Sequence, residues 1–290
     1  MGVATVRQVC RATIQRVVAA MAVETVVMDR HPHHDAVATE VARWYREPAP
    51  EMGYDLVEGR YGWFNRPTST GKGRGTVRRG VSVDDLGALI GEAEEIAETE
   101  SVSLEFDDRA TAAALGPALE PMGFRAGRAS VHLAYLDGFA PTDRRPAGLH
   151  IDDVPPDEPS LVNWATVKLQ AFADSEAPPA KEELERELVV RRAEMAGQGR
   201  ALAARVEGES AAIAAFYEGD DRFVFVLGTR VPFRHFGIAR ALLAHVVLDP
   251  RASGCRSVLI NADEGGRPEA LYRQLGFSDE VHWRRPWTRP

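Results

Sequence analysis

The run Arg234-His235-Phe236-Gly237-Ile238-Ala239 concentrates more chemistry than any other part of the chain. It follows an apolar run, Phe223-Val224-Phe225-Val226-Leu227, and opens a helix-patterned segment from Ile238 to Leu248. A strand that stops in a short turn and feeds a helix leaves backbone N–H groups without internal partners, all pointing one way. With the positive end of the helix dipole behind them, these groups form a site for phosphate or pyrophosphate. A side chain at Gly237 would hold such an anion off the backbone, and the small Ala239 lets the helix pack close to the strand. The chemistry expected here is main-chain capture of an anion.

Further along stands Leu271-Tyr272-Arg273-Gln274-Leu275-Gly276-Phe277. The order Arg-x-x-Gly-x-Ala after a strand, followed by this second segment, resembles the GNAT superfamily of acyl-CoA N-acyltransferases. The resemblance covers about Leu149 to Trp287, half the chain. In that family the first element binds the CoA pyrophosphate, and a Leu-Tyr…Gly-Phe segment ends the fourth helix. It implies a mixed, mostly antiparallel sheet flanked by helices, and transfer of an acetyl group from acetyl-CoA to a primary amine by direct attack. Carried onto this chain, it places the amides of His235, Phe236, Gly237, Ile238, Ala239 and Arg240, with Arg234, around the pyrophosphate. Leu227, Thr229 and Val231 would offer main-chain groups to the pantetheine arm, as if to an added strand. His235 and Phe236 stand where Gly and a basic residue are common in the family, and Pro232 sits closer to the arginine than usual.

A phenol with a pKa near ~10 is protonated at neutral pH and can donate to a departing thiolate. The resemblance makes Tyr272 the catalytic acid; core filling on an amphipathic helix is its plain alternative. A substrate amine of pKa ~10.4 is neutral only about once in 2,500 molecules at pH 7, a deficit of roughly 4.6 kcal/mol. Many relatives place a glutamate on the phosphate-site strand, yet Phe223 to Val231 contains no carboxylate. Glu218, Asp263 and Glu264 near strand ends are alternatives, each more readily read as a solvated loop charge. Asn261, ending a strand, would touch CoA, water or substrate, and an exposed strand terminus explains it almost as well.

The elements that must position these residues alternate regularly. Asp137 to Gly148 is polar and Pro-rich, a linker between halves. After it come strand 149–151, a helix from Ser160 to Phe172, a charged helix 181–198, and a hairpin of 200–207 and 211–217 across Gly208-Glu209-Ser210. The phosphate-site strand and helix follow, then strand 257–261, helix 268–275 and a β-like tail at Val281-His282-Trp283. The first half carries a fainter copy: helix 83–98, strand 102–106, helix 110–119, Met122-Gly123-Phe124, and strand 130–136. It lacks the Gly-x-Gly/Ala turn, since Arg79-Gly80-Val81-Ser82-Val83 occupies that place, and it lacks the tyrosine. The expected organisation is a helical extension over 1–28, a degenerate GNAT-like domain over 29–137, a linker over 138–148 and the acyl-CoA-binding domain over 149–290.

Composition bounds the rest. The chain has 290 residues, 44% hydrophobic and 27% charged, as in ordinary globular protein. Its net charge of −8, from 35 Lys+Arg against 43 Asp+Glu, argues against a nucleic-acid surface and leans slightly toward a cationic substrate. Solubility is the simpler reason for that acidity. Cys10 and Cys255 suit a reducing cytosol without disulfides or a metal cluster. Arg7, Arg11 and Arg16 break up the N-terminus, and the uncharged run Val17 to Val23 is too short to cross a membrane. That segment reads as an amphipathic helix, or as residues upstream of a start at Met21 or Met28. A cytoplasmic location is expected. Gly71-Lys72-Gly73-Arg74-Gly75 imitates a nucleotide loop, but Arg66 and Gly73 stand where a P-loop needs Gly and Ser/Thr, so a flexible loop is expected. His31-Pro32-His33-His34 lacks the partners of a metal site. Trp44, Tyr45, Tyr61, Trp63 and Phe64 are expected in the first half's core, or in part along an acceptor cleft. No metal is expected, and the partners would be a small-molecule or protein amine, with no nucleic acid or membrane. Oligomeric state stays open, a homodimer included. Two rivals remain: a catalytically silent CoA-binding sensor or ligand-binding module, and a purely structural protein.

Overall fold

Short apolar runs separated by Gly- and Asp-rich turns produce, among the described residues, one sheet of twelve strands. The computed structural model describes residues 36–39, 54–67, 73–135, 145–196, 199–249 and 255–289. The expected helix over 1–28, His31 to His34, Trp44 and Tyr45 lie outside them. The first half contains β1 (Tyr54–Glu58), β2 (Gly62–Pro67), β3 (Gly73–Val77), α1 (Leu86–Ala97), β4 (Val102–Phe106), α2 (Arg109–Leu119), β5 (Arg125–Ala126) and β6 (Ser130–Tyr135). The second contains β7 (Leu149–Asp153), α3 (Glu158–Phe172), α4 (Lys181–Ala196), β8 (Gly199–Val206), β9 (Glu209–Tyr217), β10 (Asp221–Thr229), α5 (Ile238–Leu248), β11 (Ser257–Asp263), α6 (Arg267–Gln274) and β12 (Asp279–Thr288).

The internal repeat is real in space. β3–α1–β4 is a parallel crossover, as is β10–α5–β11. The turns after α2 and α6 both close on a glycine in left-handed conformation, Gly123 (φ 88°) and Gly276 (φ 94°). This geometry explains why Met122-Gly123-Phe124 echoes Leu275-Gly276-Phe277.

Sheet order is β1-β2-β3-β4-β12-β6-β11-β10-β9-β8-β7, with β5 paired to β12. The closing strands of the two halves are therefore exchanged. β6, from the first half, lies between β11 and the start of β12, with Asn261 opposite His132 and Trp283 opposite Val131. The end of β12 crosses the other way and lies between β4 and β5, with Trp287 opposite both Leu104 and Ala126. Arg284 of β12 and Arg74 of β3 both reach Glu105 of β4, at 3.0 and 2.8 Å, beside this seam.

Helices cover both faces of the second half's sheet, and residue alternation reflects it. On β8 and β9, Leu202, Ala204, Ala212, Ala214 and Phe216 face the core that includes α5 and α6, whereas Ala201, Ala203, Ile213 and Ala215 face α3 and α4. The many alanines let both helix layers approach closely.

Several sequence expectations are corrected. Gly73-Arg74-Gly75 is strand, not loop: Gly75 and Gly73 make room for Phe64 and Ala97, which would stand 2.2 and 2.3 Å from added Cβ atoms. The first α3 turn is capped by Asp157, whose carboxylate accepts from the Ser160 N–H, so the helix starts before Ser160. The β8–β9 turn is Glu207-Gly208, both at positive φ (51° and 88°), as a tight hairpin turn demands. Tyr61 and Phe64 are buried as expected, while Trp63 is half-buried with Arg78 stacked 4.3 Å above it.

Because β12 belongs to the hydrogen-bond ladders of both halves, they are expected to unfold together. Trp287 is buried at the exchange point, and its ring fills the space beside Gly116. Trp287→Ala is expected to cost about 3–5 kcal/mol. Chemical denaturation should show this as a shift of one shared transition, and separate loss of one half would contradict it.

Candidate functional site

Two strands running parallel normally stay paired to their ends, but β10 and β11 part company midway. They pair only over Asp221–Val224 against Ser257–Ile260. At their beginnings they are pinned: Ser257 Oγ donates to buried Asp221 Oδ1 at 2.8 Å, and Arg256 forms an ion pair with the same carboxylate. A bulge between Val224 and Val226 then redirects β10. From Val226 to Thr229 β10 pairs with β9 alone, while Asn261 to Asp263 of β11 pair with β6. The β10 edge beyond the bulge has no strand partner among the described residues. It leaves an opening one strand wide, with backbone donors and acceptors along one wall. Thr229, at its outer end, has a buried hydroxyl without a hydrogen-bond partner among the described residues.

The turn above this opening is held from behind. The Arg234 guanidinium donates to Thr229 O (3.0 Å) and Ala171 O (2.8 Å), and forms an ion pair with Asp174. That side chain fastens the turn to β10 and to the end of α3, so its guanidinium is spent on the fold. His235 (φ 69°) and Gly237 (φ 82°) are both left-handed. For histidine that conformation costs about 1–2 kcal/mol, a strain found where backbone is shaped for binding. A Cβ at Gly237 would meet open space, so its positive φ, not crowding, calls for glycine. Gly237 is the N-cap of α5, without a side-chain cap and with no acid in the first turn. The N–H groups of Ile238, Ala239 and Arg240 thus start the helix without intrahelical acceptors. Ile238 anchors the turn in the core, Val231 is exposed, and Phe236 is 67% exposed.

Tyr272 sits on α6, buried in the core shared with α5. Desolvation pushes its phenol up to about 12, beyond the ordinary value expected from sequence. Asn261 is the first β11 residue past the last one paired with β10, and it is half-buried. The three carboxylates weighed from sequence are otherwise engaged. Glu218 precedes β10, at the pinned end, and accepts from Arg200 and Arg222, both at 2.8 Å. Asp263 is half-exposed beside Arg128. Glu264 accepts from Arg109 (2.8 Å) and Trp283 (3.1 Å), and the guanidinium holds its carboxyl below the usual range. Cys255 also belongs to the pinned end, with its Sγ 3.4 Å from Gly219 O.

On the opposite face, under α3 and α4, lies a cluster that sequence reading missed. Phe225, the bulged residue, stacks on Tyr217 with ring centroids 4.4 Å apart. Glu194 of α4 faces Tyr217. Arg191, only 1% exposed, pairs with Glu187 and Glu194 and lies 4.1 Å above the Trp164 ring, and Lys168 meets Glu187 at 2.5 Å. Removal from water raises the Glu194 carboxyl above its ordinary value and pushes Tyr217 up to about 12. Nearby, His132 of β6 and His282 of β12 meet with centroids 5.3 Å apart and their rings tilted by 57°. Burial lowers both, His132 far below its ordinary value and His282 to about 4, so both are neutral at pH 7. Segment 181–198 read as a charged helix; nothing in its spacing marks Arg191 and Glu194 as the members turned inward.

Among the described residues, the first half offers no matching opening. β3 and β4 stay paired to their last residues, Val77 against Phe106. The helix start there carries Asp84 and Asp85, the latter receiving hydrogen bonds from Ser82 and Tyr61. Negative charge at a helix N-terminus is the wrong sign for a phosphate.

No protein-family model matches the sequence, and no curated protein matches it. Solved structures do match in fold. A conserved protein of unknown function from Staphylococcus epidermidis is 12% identical, over 82% of this chain and 94% of that one, with a TM-score of 0.61. A GCN5-related N-acetyltransferase from Sphaerobacter thermophilus is 20% identical, over 89% and 93%, with a TM-score of 0.59. A tandem GNAT protein from the clavulanic acid biosynthesis pathway, solved without acetyl-CoA, is 16% identical, over 87% and 86%, with a TM-score of 0.55. At such identities the likeness is one of fold: this chain has the GNAT fold, built from two units.

The histidine pair supplies a pH test of the strand exchange that buries it. His282 binds a proton near pH 6.5 when unfolded and only at about 4 when folded, so the unfolded state holds more protons between these values. Stability from this group is complete above pH 6.5 and is lost as pH falls toward 4. The loss amounts to about 3 kcal/mol. Urea titrations between these pH values should show His282→Gln losing less stability than the parent, and equal slopes would contradict the burial.

Proposed function

We propose that this chain is an N-acetyltransferase that moves an acetyl group from acetyl-CoA to a primary amine by direct attack. The observation that carries the proposal is the opening between β10 and β11, which has a left-handed turn and an uncapped helix start at its outer end. A thioester on a long amide-bearing arm with a diphosphate at its far end has the matching chemistry. Main-chain groups near Leu227, Thr229 and Val231 would pair with the arm, and the N–H groups from His235 to Arg240 would hold the diphosphate. Arg234 serves through its grip on Thr229 O and Ala171 O, and Asn261 offers a polar contact on the facing strand. The absence of such an opening in the first half supports a structural or substrate-shaping role for that unit.

Tyr272 would meet the leaving sulfur. Its elevated pKa keeps the hydroxyl protonated at any physiological pH. A cysteine thiol, a stand-in for the CoA thiol, has a pKa near ~8.5, so a phenol this weak is best suited to hydrogen-bonding the sulfur as its charge develops. The position of Cys255 at the pinned end supports direct attack over a covalent relay.

Calorimetry with acetyl-CoA and release of CoA in the presence of amines test this reading. Tyr272→Phe is expected to lower turnover by at least ~100-fold with acetyl-CoA affinity unchanged. Gly237→Val is expected to weaken acetyl-CoA binding by about tenfold or more, since the cost of a left-handed β-branched residue is about 1–2 kcal/mol. No heat from acetyl-CoA would remove the proposal. Heat without turnover on any amine would leave the CoA-binding sensor.

A further inference from the structure

A buried sheet face is ordinarily apolar, and the face that carries Leu104, Phe106, Val131 and Leu133 obeys that rule. The other face of the same strands does not. Register fixes its members: Thr76 of β3 stands beside Glu105 of β4, and Glu105 beside Pro286 of β12. Two and four residues back along β12, Arg284 and His282 share that face. His282 lies opposite His132 of β6, which lies opposite Asn261. A continuous polar band therefore crosses the exchange seam and ends on β11, the far wall of the opening. There the His132 ring is 5.9 Å from that of Phe223 on β10. Thr76, Glu105, His132 and His282 are all buried.

The first-half end of this band has the chemistry of a carboxylate site. Arg74 and Arg284 converge on Glu105, and both donate to the same oxygen, Oε2, at 2.8 and 3.0 Å. The Arg79–Asp107 pair nearby adds no charge, and the two histidines are neutral at pH 7. One positive charge is left over, a local reversal in a chain of net charge −8. The Arg74 side chain is 39% exposed and that of Arg284 23%, so the cluster opens to solvent through its cations. Beside Arg74 on β2 stands Asn65, only 6% exposed, whose buried Oδ1 has no hydrogen-bond partner among the described residues. An unmet acceptor inside a fold is costly, and it is kept here next to two guanidiniums.

We infer that this cluster holds the carboxylate end of the acceptor, with Arg74 and Arg284 donating to the carboxylate and Asn65 Oδ1 accepting an N–H beside it. The acceptor is then a short peptide or a peptide-like amine, not a polyamine. The inference rests on the transfer reading above, which puts the reacting amine at the opening. From there to Glu105 the band crosses roughly three strand spacings, so amine and carboxylate stand about 10–15 Å apart. Extended chain covers ~3.3–3.6 Å per residue, which makes the acceptor about three or four residues long. Capture at the far end thus sets how far the amine reaches.

The experiment follows CoA release by the full chain with tri- and tetraglycine as free acids and as C-terminal amides, and titrates the same peptides calorimetrically with CoA present. The kcat/KM for the acids is expected to exceed that for the amides by at least ~10-fold, as a charge-assisted contact provides. Arg74→Gln should erase this preference by lowering the acids alone. Glu105→Gln, which still offers an acceptor to both guanidiniums, should widen it. Asn65→Leu should lower kcat/KM on every peptide while raising the urea midpoint, opposite signs that a packing role does not give. Equal turnover of acids and amides by the parent overturns the inference, as do equal losses on both in Arg74→Gln. Turnover of spermidine but of none of the peptides does the same. Absence of acetyl-CoA heat in the parent removes the transfer reading itself, whereas normal acetyl-CoA heat without peptide heat overturns the carboxylate site alone.

Discussion

A strand can receive a ligand along its edge only if something keeps the neighbouring strand from claiming that edge first. In this protein that constraint is met by two opposed features of β10. The Asp221–Ser257 hydrogen bond pins it to β11 at one end, and the bulge at Phe225 turns it away at the other. Pairing with β9, resumed at Val226 after the bulge, keeps the departing strand ordered, so the exposed backbone is held without being satisfied. Arg234 then ties the following turn to the same strand and to α3. The exposed main chain here is thus held by side chains that face elsewhere. The two units bear this out by contrast: β3 and β4 carry the same topology without the bulge, and their edges are spent on each other.

The second organising feature is the exchange of β6 and β12. Each unit lends its last strand to the other, and the borrowed strand closes the sheet next to the parallel pair. β11, the far wall of the opening, is therefore backed by a strand from the first half, with Asn261 opposite His132. The first unit, without such an opening among its described residues, still backs its partner's by supplying β6 and by holding the end of β12 against β4. Burial of two neutral imidazoles at this seam ties its integrity to pH.

Much of the architecture was legible along the chain because local rules govern it. Periodicity marked most helices and strands of the second half to within a few residues, and Gly123 and Gly276 disclosed the repeat because both must adopt positive φ. The strands β1 to β3 were not legible. Their glycines mimic a loop and are instead clearances for Phe64 and Ala97, residues distant in sequence. The Arg-x-x-Gly-x-Ala turn was readable because a left-handed glycine before a helix is a local event. Which way Arg234 points was not, since Ala171 and Asp174 come from another element.

What the amino-acid sequence by itself determined is the set of elements, their pairing into two similar units, and the left-handed turn that opens α5, all consequences of short-range sterics and hydrogen bonding. Tertiary structure alone decided which strand lies beside which, where β10 leaves β11, and which charges of α4 turn inward toward Tyr217 and Phe225. Those outcomes depend on contacts between residues far apart in the chain. Burial and proton affinity are properties of that assembled environment, and no single segment carries them.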